Sequence, residues 1–123
     1  MIEKDLKNEI AASVVPVLLG DGGAASRLAL QLYCSLGTVS LHLGAHRRLS
    51  DLTGIFSVFR AAATDDRLLC EQLLDIFEEF DGYLLLLVPT DKPSHHFVQS
   101  HRDELVSRFV IAEPHNVLAQ IPS

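Results

Sequence analysis

Three glycines in the sequence GDGGAASRL stand where a buried strand gives way to a helix. Gly20, Gly22 and Ala25 fit the pattern G-x-G-x-x-G/A, which binds phosphates in α/β proteins. Gly20 permits a tight turn, and Gly22 removes a Cβ that would block a ligand or another backbone. The N–H groups of Gly22, Gly23 and Ala24 then point outward at the start of a helix, a favourable seat for a carboxylate or phosphate. The loop predicts a ligand site; a tight turn without a ligand remains the alternative.

A dinucleotide site requires a further residue that the sequence does not supply. An Asp or Glu is expected about 20 residues after the glycines, where it holds the ribose hydroxyls. The second strand ends instead in HLGAHRR, and Asp51 comes several residues too late. Arg47 and Arg48 are compatible with the 2′-phosphate of NADP, whereas Asp21 is a poor neighbour for a pyrophosphate. A regulatory module that binds NAD(P) or an adenine nucleotide is therefore the second hypothesis, and a bare interaction domain is the third.

The six histidines form no pattern typical of a metal site. His95 and His96 are adjacent and diverge on a helix, while His96 and His101 are five residues apart rather than four. We expect them to be solvated or capping residues, and His42 to be a half-buried strand residue. No combination of nucleophile and base is evident. The sequence thus predicts no catalytic residues and no metal ligands.

Composition excludes several classes of protein. With 123 residues, 48% hydrophobic content and a net charge of −6, the chain predicts one globular domain without the basic face that nucleic acid requires. It contains neither an apolar run long enough to span a membrane nor the apolar core of a secretory signal. Cys34 and Cys70 are expected to be reduced thiols in the core. We expect a cytoplasmic protein.

Strand and helix patterns alternate along the chain. The expected elements, in order, are strand 14–19, helix 24–36, strand 39–43, a weaker strand 55–59, helix 67–80 capped by Asp65 or Asp66, strand 83–88, a turn followed by helix 94–101, a helical turn 103–107, strand 109–111 and a helical stub 115–121. In the second strand, alternation predicts one face drier than the other. Residues 1–13 form a predicted amphipathic helical extension, and residues 14–121 form the single domain.

Short connections between alternating strands and helices require a parallel sheet with right-handed crossovers. The predicted fold class is α/β, a Rossmann-like doubly wound sheet of about five strands in the order 3-2-1-4-5, with helices on both faces. In this order the first and fourth strands flank the topological switch point, where ligands bind. The turn at Gly20 and the turn at Thr90-Asp91 should therefore lie on one crevice. An ordinary turn in which Asp91 bonds its own backbone is the alternative.

Two segments resemble the N-terminal (pre-ATP-grasp) domain of ATP-grasp ligases, in the group of carbamoyl-phosphate-synthase-like and carboxylate–amine ligases. They are PVLLGDGGAASRLALQLY and FDGYLLLLVPTDKPSHHFVQSHRDELVSRFVIAEP, followed by NVLAQI. The glycine-ended strand, the turn Pro89-Thr90-Asp91, which is similar to the family's "P-T/C-x-D" turn, and the segments HRDEL and FVIAEP occur in the order typical of that family. The chain ends where the family continues into its ATP-grasp domain, so the catalytic domain is absent and we expect a fragment that is inactive alone.

The resemblance implies a domain that forms the substrate side of an ATP-dependent ligase, which joins a carboxylate to an amine through an acyl phosphate. The substrate-binding residues would be Gly20, Asp21, Gly22, Gly23, Ala24, Thr90 and Asp91. No cofactor is expected in this chain, while ATP and magnesium are implied for the full-length protein. The implied partners are the ATP-grasp domain of the same polypeptide and a small carboxylate or amine substrate, and a homodimer is compatible with the sequence.

Overall fold

The computed structural model describes residues 14–21, 23–45 and 57–117. Its elements are β1 (Val14–Leu19), α1 (Gly23–Leu36), β2 (Ser40–Gly44), β3 (Ser57–Ala61), α2 (Asp66–Glu79), β4 (Leu84–Pro89), α3 (Lys92–Ser100), α4 (Arg102–Leu105), β5 (Val110–Ile111) and a 3₁₀ turn at Pro114–Asn116. The predicted extension 1–13 and the end of the predicted stub, from residue 118, lie outside the described residues.

The five strands form one parallel sheet in the order β3-β2-β1-β4-β5. The predicted fold class and strand order are therefore confirmed. β1 is central and pairs with β4 along its whole length, from Val14 opposite Leu84 to Leu19 opposite Pro89. This register brings the carboxyl ends of β1 and β4 level with each other, which decides where the turns that follow them lie.

Buried side chains form two apolar clusters that share the strands of the sheet. Val17 belongs to one cluster with Leu73 and Ile76 of α2, and the next residue, Leu18, belongs to the other with Leu32 of α1. Successive side chains of a strand point to opposite faces, so the two clusters lie on the two faces of the sheet. Helices thus cover both faces, as the sequence predicts.

The second strand departs from the expected alternation. All five residues of β2 are buried, and His42 is only 2% exposed rather than half-buried. β2 lies inside the sheet between β1 and β3, and both faces of a parallel sheet are covered. The alternation of polar and apolar residues therefore does not predict exposure in β2, because the His42 ring forms its hydrogen bond inside the fold.

The long helix α2 begins as predicted. Asp65 is its N-cap, and its carboxylate accepts a hydrogen bond of 2.9 Å from the Arg67 N–H, which satisfies one of the free donors of the first turn. Of the predicted inner stripe, Leu69, Leu73 and Ile76 are buried, while Phe77 and Phe80 pack half-buried against the same cluster.

Both cysteines are free and lie on helices, but Cys34 is exposed, so its predicted place in the core is wrong. The buried stripe of α1 includes Leu32, and a residue two positions further on points about 200° away around the helix. Cys70 is half-buried beside the α2 cluster. β3 also lies two residues later than the predicted 55–59, of which residues 55 and 56 are outside the described part.

Candidate functional site

The turns that follow β1 and β4 meet at the carboxyl edge of the sheet. Leu19 and Pro89 are register partners, so Gly20 and Thr90 follow them side by side. The Leu19 carbonyl accepts hydrogen bonds from the Thr90 N–H at 2.8 Å and from the Thr90 hydroxyl at 3.0 Å. The prediction that both turns share one edge at the switch point is confirmed in geometry.

Gly20 is required by how closely the two turns approach. Its φ is +139°, and a Cβ at this position would overlap the Thr90 hydroxyl and lie 2.9 Å from Asp91 Oδ2. Side chains rarely adopt such a φ, so an alanine would be both strained and crowded. The glycine admits the chain's own β4 turn, and this close approach to another part of the protein explains it without a ligand.

Asp91 connects the two turns. Its Oδ2 accepts a hydrogen bond of 3.0 Å from the backbone N–H of Asp21, while Oδ1 accepts the Ser94 N–H at 3.0 Å and the Ser94 hydroxyl at 2.6 Å. The Ser94 oxygen in turn accepts the Asp91 N–H at 3.1 Å, which completes a capping box. One carboxylate therefore starts helix α3 and holds the β1 turn.

The start of α3 corrects the predicted turn over TDKPS. The helix begins at Lys92 and not at Ser94, because Asp91 caps it and Pro93 falls in its first turn. Proline is tolerated there, since the N–H that it lacks has no partner within the helix. Asp91 does bond its own local backbone, as the alternative interpretation had it, and also reaches across to Asp21.

Several contacts decide the charge of Asp91. Partial burial of the carboxyl favours its neutral form, but hydrogen bonds from Ser94 and from the Asp21 N–H, together with the charge of His95, outweigh this and lower the pKa of Asp91. Hydrogen bonds that donate to the carboxylate stabilise its charged form. The junction of the two turns therefore carries a negative charge at neutral pH.

Two residues of β2 also belong to the junction, although the sequence alone does not predict a place for them there. His42 Nε2–H donates a buried hydrogen bond of 2.7 Å to the Gly20 carbonyl. A Cβ on Gly44 would lie 2.7 Å from Asp21 Oδ1 and 2.8 Å from the Gly20 oxygen. A histidine within an apolar strand and a glycine at its end were the available signals, but only the strand pairing shows which turn they serve.

A small cavity of about 190 Å³ opens at the carboxyl ends of β4 and β5 beside this junction. Polar side chains in its lining are His95 and Gln99 of α3, Arg102 of α4 and Glu113 after β5. His95 Nδ1 lies 3.7 Å from Glu113 Oε2. The sequence predicts a solvated or capping role for His95, because its place in the cavity depends on how α3 packs beside β5.

The remaining predicted site residues differ in what the structure says of them. Gly23 and Ala24 are half-buried at the start of α1. Gly22, Arg47 and Arg48 lie outside the described residues. Among residues 14–21, 23–45 and 57–117, no group of three or more His, Cys, Asp or Glu side chains is placed to hold a metal ion.

The described residues do not fit the triphosphate that the resemblance implies for the full-length protein. A phosphate at the glycine turn would compete for the Asp21 N–H with a carboxylate already within hydrogen-bonding distance. Two anions at this spacing repel each other. Within these residues, the turn is occupied by the protein's own anion.

Comparisons of the chain with protein-family models, with curated proteins and with solved structures found no match. In the described part of the chain, no helix is both long and apolar enough to cross a membrane. The strand order defines a Rossmann-like parallel α/β protein. At its switch point, the turn after β1 is hydrogen-bonded to the carboxylate of Asp91.

Proposed function

We propose that this chain is the substrate-side N-terminal domain of an ATP-grasp ligase, which joins a carboxylate to an amine through an acyl phosphate. The observation that carries the proposal is the junction of the β1 and β4 turns, where Asp91 binds the Asp21 N–H. This junction lies at the switch point of the sheet, where α/β folds bind ligands. The order of the GDGG, PTD and HRDEL motifs, as in the pre-ATP-grasp domain, supports the family.

The charge of the junction favours an amine as the group recognised there. Asp91 is ionised and half-buried, and Asp21 precedes the helix α1 in the same turn. An ammonium group gains Coulomb energy beside these carboxylates, whereas a carboxylate or phosphate loses it. The adjoining cavity adds Arg102, which suits a carboxylate on the same small substrate. An amino acid carries both an ammonium group and a carboxylate, and it is the substrate class that matches the junction and the cavity.

ATP and magnesium belong to the other lobes in this proposal. Among the described residues, no three or more His, Cys, Asp or Glu side chains lie close enough together to hold a metal ion. The role of this domain is to bind and orient the nucleophile at the edge that faces the ATP-grasp lobes of the same polypeptide.

The test begins with the coding sequence downstream of Ser123 and with an assay of the encoded polypeptide for ATP-dependent ligation. Within that polypeptide, Arg102→Ala should raise the KM for the amine substrate about tenfold or more and leave the KM for ATP unchanged. Arg67→Ala is the matched control, because Arg67 is exposed on α2 and pairs only loosely with Glu71 at 3.7 Å. A stop codon after Ser123, or equal effects of the two variants, would contradict the proposal.

A further inference from the structure

An apolar groove lies at the end of the sheet opposite the candidate site. It encloses about 500 Å³ where β1 and β2 begin and where α2 ends. Its apolar lining consists of Val14, Val15, Val39, Leu41, Val58, Phe80 and Tyr83. Val39, Val58 and Tyr83 are each at least 40% exposed, so the groove places several large apolar side chains in water within one patch.

Pro16 explains why the sheet is open at this point. The Gly20 N–H bonds to β2, and alternate residues of a strand point the same way, so the nitrogen of Pro16 also faces β2. Proline has no N–H to donate, and the pairing of β1 with β2 begins only at Val17. The start of β1 at Val14-Val15 and residues 37–40, which lead into β2, do not pair with each other, and they form the walls of the groove.

An ion pair borders the groove on the α2 side. Arg60 of β3 donates to both carboxylate oxygens of Glu79, at 2.6 and 2.7 Å. The bidentate bond ties the end of α2 to the edge strand β3, and it raises the pKa of Arg60 and lowers that of Glu79. The ion pair therefore links α2 to β3 at the border of the groove.

The groove lies on the α2 face, because Leu41 and Phe80 belong to the cluster around Leu73. A segment that packs on this face would remove the exposed apolar side chains of the groove from water.

We propose that residues 1–13 dock in this groove as an amphipathic helix. The segment, MIEKDLKNEIAAS, carries Ile2, Leu6 and Ile10 at four-residue spacing, which aligns them along one side of a helix. It joins the domain at Val14, itself a lining residue, so docking is intramolecular and strongly favoured by the tether. As a helix it would span about 20 Å, and helices commonly bind grooves through apolar anchors at this spacing.

Cysteine cross-linking tests the contact directly. In a full-length chain with Cys34→Ser and Cys70→Ser, Leu6→Cys is paired with Val58→Cys, and intramolecular disulfide formation is followed by mass spectrometry. Two pairs serve as controls: Leu6→Cys with Leu36→Cys, an exposed position at the same end of the sheet but on α1, and Asn8→Cys with Val58→Cys, which moves the thiol off the apolar stripe. If the segment docks, the first pair should form its disulfide at least tenfold faster than either control pair.

A second measurement does not depend on the register of docking. Leu6→Asp with Ile10→Asp should uncover the groove and raise the fluorescence of an added hydrophobic dye several-fold, while Asn8→Asp leaves it unchanged. Circular dichroism verifies that the variants stay folded. Equal oxidation rates for the three pairs, an unchanged dye signal, or disulfides only between two chains would overturn the proposal; the last result would assign the groove to a second copy.

Discussion

The backbone N–H of Asp21 donates a 3.0 Å hydrogen bond to the carboxylate of Asp91, 70 positions further along the chain. The bond joins the turns after β1 and β4, the two strands that flank the switch point. Because the same carboxylate caps α3, the stability of that helix and the position of the β1 turn depend on one side chain.

Replacing Asp91 should destabilise the domain in a way that depends on pH. Asp91→Ala removes the cap and the bond to Asp21, and we expect a loss of about 1–2 kcal/mol at pH 7 in urea unfolding. Asp91→Asn keeps an oxygen for capping and should lose less. Asp75→Ala, on the exposed face of α2, is the control and should change stability by less than about 0.5 kcal/mol.

The sign of the pH effect follows from the lowered pKa of Asp91. A carboxyl whose pKa falls on folding stabilises the protein above its ordinary value of 3.8, and that contribution disappears as the pH falls through the folded pKa. The difference between the wild type and Asp91→Asn should therefore shrink between pH 7 and pH 3. A difference that stays constant over this range would show that the charge of Asp91 contributes nothing.

Gly20→Ala should cost clearly more stability than Gly37→Ala. Both glycines have positive φ, but a Cβ on Gly37 would meet no atom within 4 Å. The strained backbone costs each variant about 1–2 kcal/mol, and crowding against Thr90 and Asp91 should add about 1–3 kcal/mol at Gly20 alone. Chemical denaturation of both variants measures the difference. Equal losses would mean that the close approach of the turns is not a constraint.

The two cysteines should differ in reactivity. Burial and the nearby carboxylate of Glu104 raise the pKa of Cys70 to about 11, so roughly one thiol in a thousand is ionised at pH 8. Cys34 is exposed on α1. Iodoacetamide at pH 8 should therefore alkylate Cys34 first, as peptide mass spectrometry will show, and both equally in urea. Faster labelling of Cys70 would contradict its half-buried environment.

Anions should be excluded from the glycine turn as long as Asp91 is present. NMR titration of the chain with inorganic phosphate, ATP with magnesium, or NADP should leave the amide signals of Gly20 and Asp21 in place. Asp91→Ala removes the carboxylate that repels anions from the Asp21 N–H, and millimolar phosphate should then shift its signal. Saturable shifts in the wild-type chain would instead favour a nucleotide-binding module.

The sequence determined the kinds of element and their order, because both depend on local properties. Apolar runs that end at Gly20 or Pro89, and helical spacing such as that of Leu69 and Leu73, act over a few residues. Strand order followed from alternation and handedness. Element boundaries were less certain: α3 begins two residues earlier than predicted because the effect of Pro93 depends on whether Asp91 caps the helix.

Only the tertiary structure decided what the glycine turn touches. The sequence placed Gly20 and Asp91 on one edge, but the same turn suits a phosphate or a carboxylate of the chain itself. The choice depends on strand register, which sets Leu19 level with Pro89 and brings the His42 ring within hydrogen-bonding distance of the Gly20 carbonyl. Register results from the packing of both faces at once, and no local pattern encodes contacts between residues 22 or 70 positions apart.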